Sequence, residues 1–127
     1  LTVLRQMVRD LNLPLQLVAA PTKRAKDGLA LSSRNAYLSA KERAIAPDLY
    51  KALTGLADEL ASGGDVAAAT AKTEAALLAS GFTKIDYIAV RAAESFAAQA
   101  RAIPGQSRLL AAAWLGSTRL IDNVPIG

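Results

Sequence analysis

The stretch Asp27-Gly28-Leu29-Ala30-Leu31-Ser32-Ser33-Arg34-Asn35 gathers two adjacent hydroxyls, a guanidinium and an amide just after a turn glycine. Serine hydroxyls donate and accept in any direction, and the planar guanidinium presents a fork of donors matched to phosphate oxygens. Gly28 lets the backbone turn where a side chain would clash. Between Pro21 and Asn35 four basic residues (Lys23, Arg24, Lys26, Arg34) stand against one acid, Asp27. Such a compact cationic loop suits a polyphosphate. The same composition also suits a solvated surface turn, and neither a Walker-type loop nor a dinucleotide fingerprint is present to choose between them.

The rest of the composition narrows the chemistry. The chain of 127 residues contains no cysteine and no histidine. That leaves no disulfide framework, and any metal would need oxygen ligands, which suits magnesium shared with a nucleotide better than zinc. The net charge of +4 is moderate, and aromatic residues make up only 5% of the chain, with no basic–aromatic interleaving. A single-stranded nucleic-acid platform is therefore not expected. No apolar run is long enough to span a membrane and no signal-peptide pattern opens the chain, so a soluble cytoplasmic protein is expected. Leu1 begins inside a helical pattern without an initiator methionine, which fits truncation.

Periodicity supplies the elements that must hold the loop. Val3, Leu4, Met7, Val8 and Leu11 share one helical face, and Asn12 and Pro14 end that helix. Leu15 to Ala20 reads as a short buried strand. A helix followed by such a strand resembles the last unit of a parallel sheet, so residues 1–20 are expected to be a helix–strand remnant of a Rossmann-like nucleotide-binding domain. Residues 21–38 then form a linker loop, and 39–127 a second domain.

In that domain Ser39 and Glu42 match a capping box. Ile45, Leu49, Leu53, Leu56 and Leu60 make an apolar stripe, with a kink or two abutting helices expected at Pro47. Asp65 is a candidate cap for a second helix ending before Gly81. Strands are expected at Ile85–Val90, Arg108–Leu115 and Arg119–Val124, the last two joined by a two-residue turn at Gly116-Ser117. Residues 94–102 read as a short helix or irregular crossover. The fold class is therefore α+β, a three-stranded antiparallel sheet with two main helices. Arg119, Asp122 and Asn123 are expected to hold the hairpin, Trp114 to sit in the core, and Tyr37 and Tyr50 to pack the loop. Asp27 is expected to brace the turn at Gly28.

The run from Pro21 to Leu38, continued by Ala46-Pro47-Asp48-Leu49-Tyr50 and by Ala112 to Asn123, resembles the signature of the pantothenate synthetase (pantoate–β-alanine ligase) family. Three separated matches in the right order span nearly the whole chain. In that family Ser32-Ser33-Arg34-Asn35 corresponds to a KMSKS-like loop of the nucleotidylyltransferase superfamily. The superfamily's histidine motif is absent, so the resemblance implies the C-terminal part of an enzyme, expected to be inactive alone. It further implies that Ser32, Ser33 and Arg34 contact ATP phosphates in catalysis, and that the backbones of Lys23 and Leu31 border the adenine. At Lys23 the family often carries an apolar residue, so only a main-chain contact is carried over. ATP with magnesium, pantoate and β-alanine are the implied ligands, in a homodimer when full length. The rival readings are another adenylating enzyme, such as an aminoacyl-tRNA synthetase fragment, and a non-catalytic basic module for RNA or another anion.

Overall fold

The computed structural model describes all residues from Leu1 to Gly127. Its helical layer begins at a reciprocal cap. Ser39 Oγ accepts from Glu42 N–H at 3.3 Å, and the Glu42 carboxylate accepts from Ser39 N–H at 2.8 Å. This pair opens α2 (Ala40–Ile45). Pro47 has no N–H to continue the ladder, and it stands at the start of α3 (Asp48–Ala61), so the apolar stripe is split into two abutting helices. Asp65 Oδ1 accepts from Ala68 N–H at 2.8 Å and starts α4 (Val66–Ser80), which ends where Phe82 N–H closes on Leu77 C=O.

The sheet follows as β1 (Lys84–Ala92), β2 (Ser107–Leu115) and β3 (Thr118–Ile126), antiparallel in the order β1-β2-β3. Leu115 pairs with Thr118 across the expected Gly116-Ser117 turn. Side chains alternate between the faces of a strand. Leu109, Ala111, Ala113, Leu115, Leu120, Val124 and Ile126 point to the helices and join Leu53, Leu56, Leu60 and Leu77 in the core. α3 packs on β2 and β3, and α4 on β1. Trp114 departs from expectation. Parity puts it on the opposite, open face of the sheet, half-buried, with Nε1 donating to the Asp86 carboxylate at 3.0 Å.

Residues 94–102 form no helix; they cross irregularly and touch the sheet through a bridge between Arg91 and Ala98. At the other end, α1 (Thr2–Asp10) buries none of its residues, and Val3, Leu4, Met7 and Leu11 are exposed. Asn12 ends it in the left-handed region at φ +46°. The strand expected at Leu15–Ala20 is not formed, because a strand exists only where a neighbour takes up its hydrogen bonds and none of the three strands pairs with it. No helix is long and apolar enough to cross a membrane.

Candidate functional site

The loop that carries the chemistry is built on a small hairpin of its own. Ala25 N–H donates to Leu29 C=O at 2.8 Å and Leu31 N–H to Lys23 C=O at 2.9 Å, which pairs Arg24 with Ala30. Gly28 turns it at φ +96°, and a methyl group there would stand 2.6 Å from the Tyr50 ring. Asp27 braces that turn as expected. Its Oδ1 accepts from Leu29 N–H at 3.2 Å and its Oδ2 pairs with Arg43 Nη1 at 2.6 Å. These bonds, Arg43 first, hold the Asp27 carboxyl below its ordinary range.

Beyond the hairpin, Ser32 Oγ accepts from Arg34 N–H at 3.2 Å and caps a 3-10 turn over Ser33–Tyr37. Asn35 reaches back, donating from Nδ2 to Ala30 C=O at 2.9 Å, while its Oδ1 is buried without a partner. Local side-chain-to-backbone bonds of this kind fix a turn that has no regular ladder.

A long-range contact fixes the hairpin to the domain. Arg24 forms two parallel hydrogen bonds with Asp122 of β3, at 2.6 and 2.8 Å, and donates to Gly28 C=O at 3.1 Å. Its guanidinium lies 3.8 Å from the centre of the Tyr50 ring on α3. The Asp122 side chain is 4% exposed and that of Arg24 17%. The bond to Asp122 is the first cause that raises the Arg24 pKa above its ordinary value. Asp122 therefore anchors the loop instead of holding the hairpin of β2 and β3. Tyr50 packs the loop as expected, but Tyr37 is 77% exposed and does not.

On the open face of the sheet a second polar cluster spans all three strands. In the pairing of β1 with β2 Asp86 is the extra residue, since Ile85 faces Ala113 and Tyr87 faces Ala112. The bulge turns Asp86 to the same side as Trp114 and Arg119. Asp86 takes Arg119 Nε at 2.7 Å, Lys84 Nζ at 3.0 Å and Trp114 Nε1 at 3.0 Å. Arg119 and then Lys84 pull its pKa down to about 2. Asn123, on the same face, accepts from Arg108 Nε at 2.7 Å.

Between loop and sheet lies a cavity of about 360 Å³. Leu31, Ser32 and Arg34 line it from the loop, and Tyr87, Leu110, Arg119 and Ile121 from the sheet. Of the residues singled out from sequence, Lys23 and Ser33 do not line it. Leu31 is 64% exposed at its edge. Arg34 takes part in none of the six ion pairs of the chain. A wall with a hydroxyl and an uncommitted guanidinium can grip an anionic oxygen, and the apolar wall opposite can cover a flat or aliphatic group. No three carboxylates come together to form a cation cage.

Two groups were not visible as site residues in the sequence. Arg24 and Asp122 are 98 positions apart, so no local spacing signals their pairing. Asp86 reads as a polar residue in a strand until the bulge re-aims it.

The family model for pantoate–β-alanine ligase matches residues 1–125. The chain is 50% identical to the pantothenate synthetase of Dinoroseobacter shibae over 127 residues, all of this chain and 45% of that protein. It is 49% identical to the pantothenate synthetase of Caulobacter vibrioides, again across 45% of that protein. Among solved structures it is similar to the pantothenate synthetase of Thermus thermophilus, with a TM-score of 0.87 and 42% identity over 98% of this chain and 45% of that one. The pantoate–β-alanine ligase of Francisella tularensis, complexed with β-γ ATP and β-alanine, matches with a TM-score of 0.65 and 27% identity, covering 97% of this chain and 38% of that one. The chain thus spans less than half the length of the curated relatives it matches.

Proposed function

Because the chain belongs to the pantoate–β-alanine ligase family, we propose that it supplies the triphosphate-gripping part of an ATP-dependent ligase that joins pantoate to β-alanine. A pantoate carboxylate oxygen attacks the α-phosphorus of ATP, the bond to the β-phosphate breaks, and pyrophosphate leaves. The amine of β-alanine then attacks the acyl carbon of pantoyl adenylate, and AMP departs as pantothenate forms. Negative charge shifts onto phosphate oxygens in the first step, and donors already in position stabilise it without reorganising. The observation that carries this reading is the wall of Ser32 and unpaired Arg34 facing the cavity beside the sheet.

In this reading Ser32, Ser33 and Arg34 hold the triphosphate, and the backbones of Lys23 and Leu31 border the adenine. Magnesium arrives on the nucleotide, since this chain offers no carboxylate cluster for it; when bound it neutralises phosphate charge. The pantoate site and most of the β-alanine site belong to the portion of the relatives that this chain does not match. The active enzyme is a cytoplasmic homodimer, and residues 1–127 alone make no pantothenate.

The test is to place residues 1–127 in the Dinoroseobacter shibae enzyme in exchange for the matching segment. The chimera should form pantothenate with one AMP and one pyrophosphate per turnover. Arg34→Ala should slow adenylate formation by about 10²–10³-fold. The second half-reaction, started from preformed pantoyl adenylate, has no pyrophosphate to release and should suffer less. A folded chimera that binds ATP and makes no pantothenate overturns the proposal.

A further inference from the structure

We propose that Arg119 is a second polyphosphate-binding guanidinium, which carries the anion site from the loop onto the sheet. This rests on the phosphate reading of Arg34 and extends it to a residue of β3. Arg34 and Arg119 both line the cavity between loop and sheet. Both also line a neighbouring open groove of about 580 Å³, together with Tyr37, Trp114, Ser117 and Thr118. The two guanidinium groups thus form the divide shared by two adjoining concavities. An anionic chain that runs from the cavity into the groove meets both.

The chemistry of Arg119 suits that position. Its hydrogen bond to Asp86 uses Nε at 2.7 Å, and its other polar neighbour is the Tyr87 side chain, so Nη donors remain for an anionic partner. The bulged Asp86 carboxylate, itself held by a hydrogen bond from the Trp114 indole, keeps the guanidinium in place, so little side-chain freedom remains to be lost on binding. Asp86 does not cancel the cluster, because it balances one charge against both Lys84 and Arg119.

The other nearby acids are already engaged. Asp122 is bonded to Arg24, Asp27 to Arg43, and Glu42 to the Ser39 amide. Neither Arg34 nor the Nη end of Arg119 has a carboxylate partner in this structure. A run of phosphate oxygens supplies acceptors for both at once, with the bidentate geometry that favours arginine.

The test is titration of the ¹⁵N-labelled 127-residue chain with inorganic tripolyphosphate, followed at the amides of the loop and of β3. Arg34→Ala and Arg119→Gln should each weaken binding by about tenfold or more, as expected for charge-assisted hydrogen bonds. Arg119→Lys should recover part of the loss. Asp86→Asn removes the competing negative charge while its amide oxygen can still accept from Arg119 Nε and keep the guanidinium oriented, so its affinity should equal or exceed that of the unaltered chain. If Arg34→Ala weakens binding and Arg119→Gln does not, the inference fails and the phosphate reading of the loop stands. If Asp86→Asn and Arg119→Gln lose affinity equally, Arg119 is a strut of the sheet and the inference fails. If the unaltered chain does not bind tripolyphosphate, the phosphate reading itself fails and this inference with it.

Discussion

Arg24 grips Asp122 through two parallel hydrogen bonds of 2.6 and 2.8 Å, across 98 positions of chain, and stacks on Tyr50 while doing so. One guanidinium thereby joins the loop hairpin, the edge strand β3 and helix α3. The cavity has the loop for one wall and the sheet for the other, so this contact fixes the separation of the two walls. Ser32 and Arg34 follow the hairpin by a few residues and inherit its position.

Removing one partner of a buried pair leaves the other charge uncompensated, which typically costs about 3–5 kcal/mol. Asp122→Ala should therefore lower unfolding stability in urea by an amount in that range, with the Arg24 guanidinium left beside the core. Replacing both partners by apolar residues of similar volume, Arg24→Met with Asp122→Leu, should cost clearly less. Equal losses in the single and double variants would show that the pair acts through shape rather than charge.

Gly28 has no room for a side chain. At φ +96° an L residue is strained, and its Cβ would press on the Tyr50 ring. Strain of this kind costs about 1–3 kcal/mol. Gly28→Ala should lower the melting temperature, and adding Tyr50→Leu should return only the steric part. A Gly28→Ala chain as stable as the original would mean that the hairpin is not held against α3.

Asp86 contributes a pH dependence whose sign follows from its acidity. Its pKa falls from an ordinary 3.8 to about 2 in the fold, owing first to Arg119 and then to Lys84. The unfolded chain therefore binds the proton more readily. The stabilisation is complete above the ordinary value and is lost as pH falls through about 2. Melting temperature plotted against pH should bend downward in that window, and Asp86→Asn should flatten the bend. Asp27 and Glu42 are also held below their ordinary values, so a residual slope should remain. An unchanged acid limb in Asp86→Asn would break the assigned ion pairs.

What could be read from the sequence was local. The Ser39–Glu42 cap, the break at Pro47, the Asp65 cap and the Gly116-Ser117 turn each depend on residues within a few positions of one another, and each appears in the structure. The antiparallel sheet followed from β-branched and apolar runs bounded by turns. The Arg24–Asp122 contact was not readable, because pairing across 98 positions leaves no periodic trace. Trp114 lies on the open face because it alternates with Leu109, Ala111, Ala113 and Leu115, which face the helices, and its large apolar ring alone does not reveal that parity. The bulge at Asp86 then supplies the carboxylate beside its indole. Leu15–Ala20 looked like a strand because its composition is apolar, but a strand also needs a partner, and composition does not supply one.

The last prediction concerns the order in which the chain opens. α1 spans nine residues and buries none of them. Isolated helices shorter than about 12–15 residues are marginal in water. A hydrogen bond from Thr2 Oγ1 to Ala93 C=O at 3.1 Å links it to the turn that follows β1, and residues 13–20 carry no ladder. The hairpin of Lys23 to Leu31 has fewer backbone bonds than the sheet, but it is tied down by Arg24, Asp27 and Gly28. β2 shares ladders with both β1 and β3 and lines the core with Leu109, Ala111, Ala113 and Leu115. Amide hydrogen exchange should thus be fastest in residues 1–20, slower in the hairpin amides of Ala25, Gly28 and Leu31, and slowest in β2. Asp122→Ala should move the hairpin amides toward the rate of the first group while leaving β2 slow relative to both. If the hairpin already exchanges as fast as α1 in the unaltered chain, the Arg24–Asp122 contact does not hold the loop, and the cavity between loop and sheet is not a standing feature of the fold.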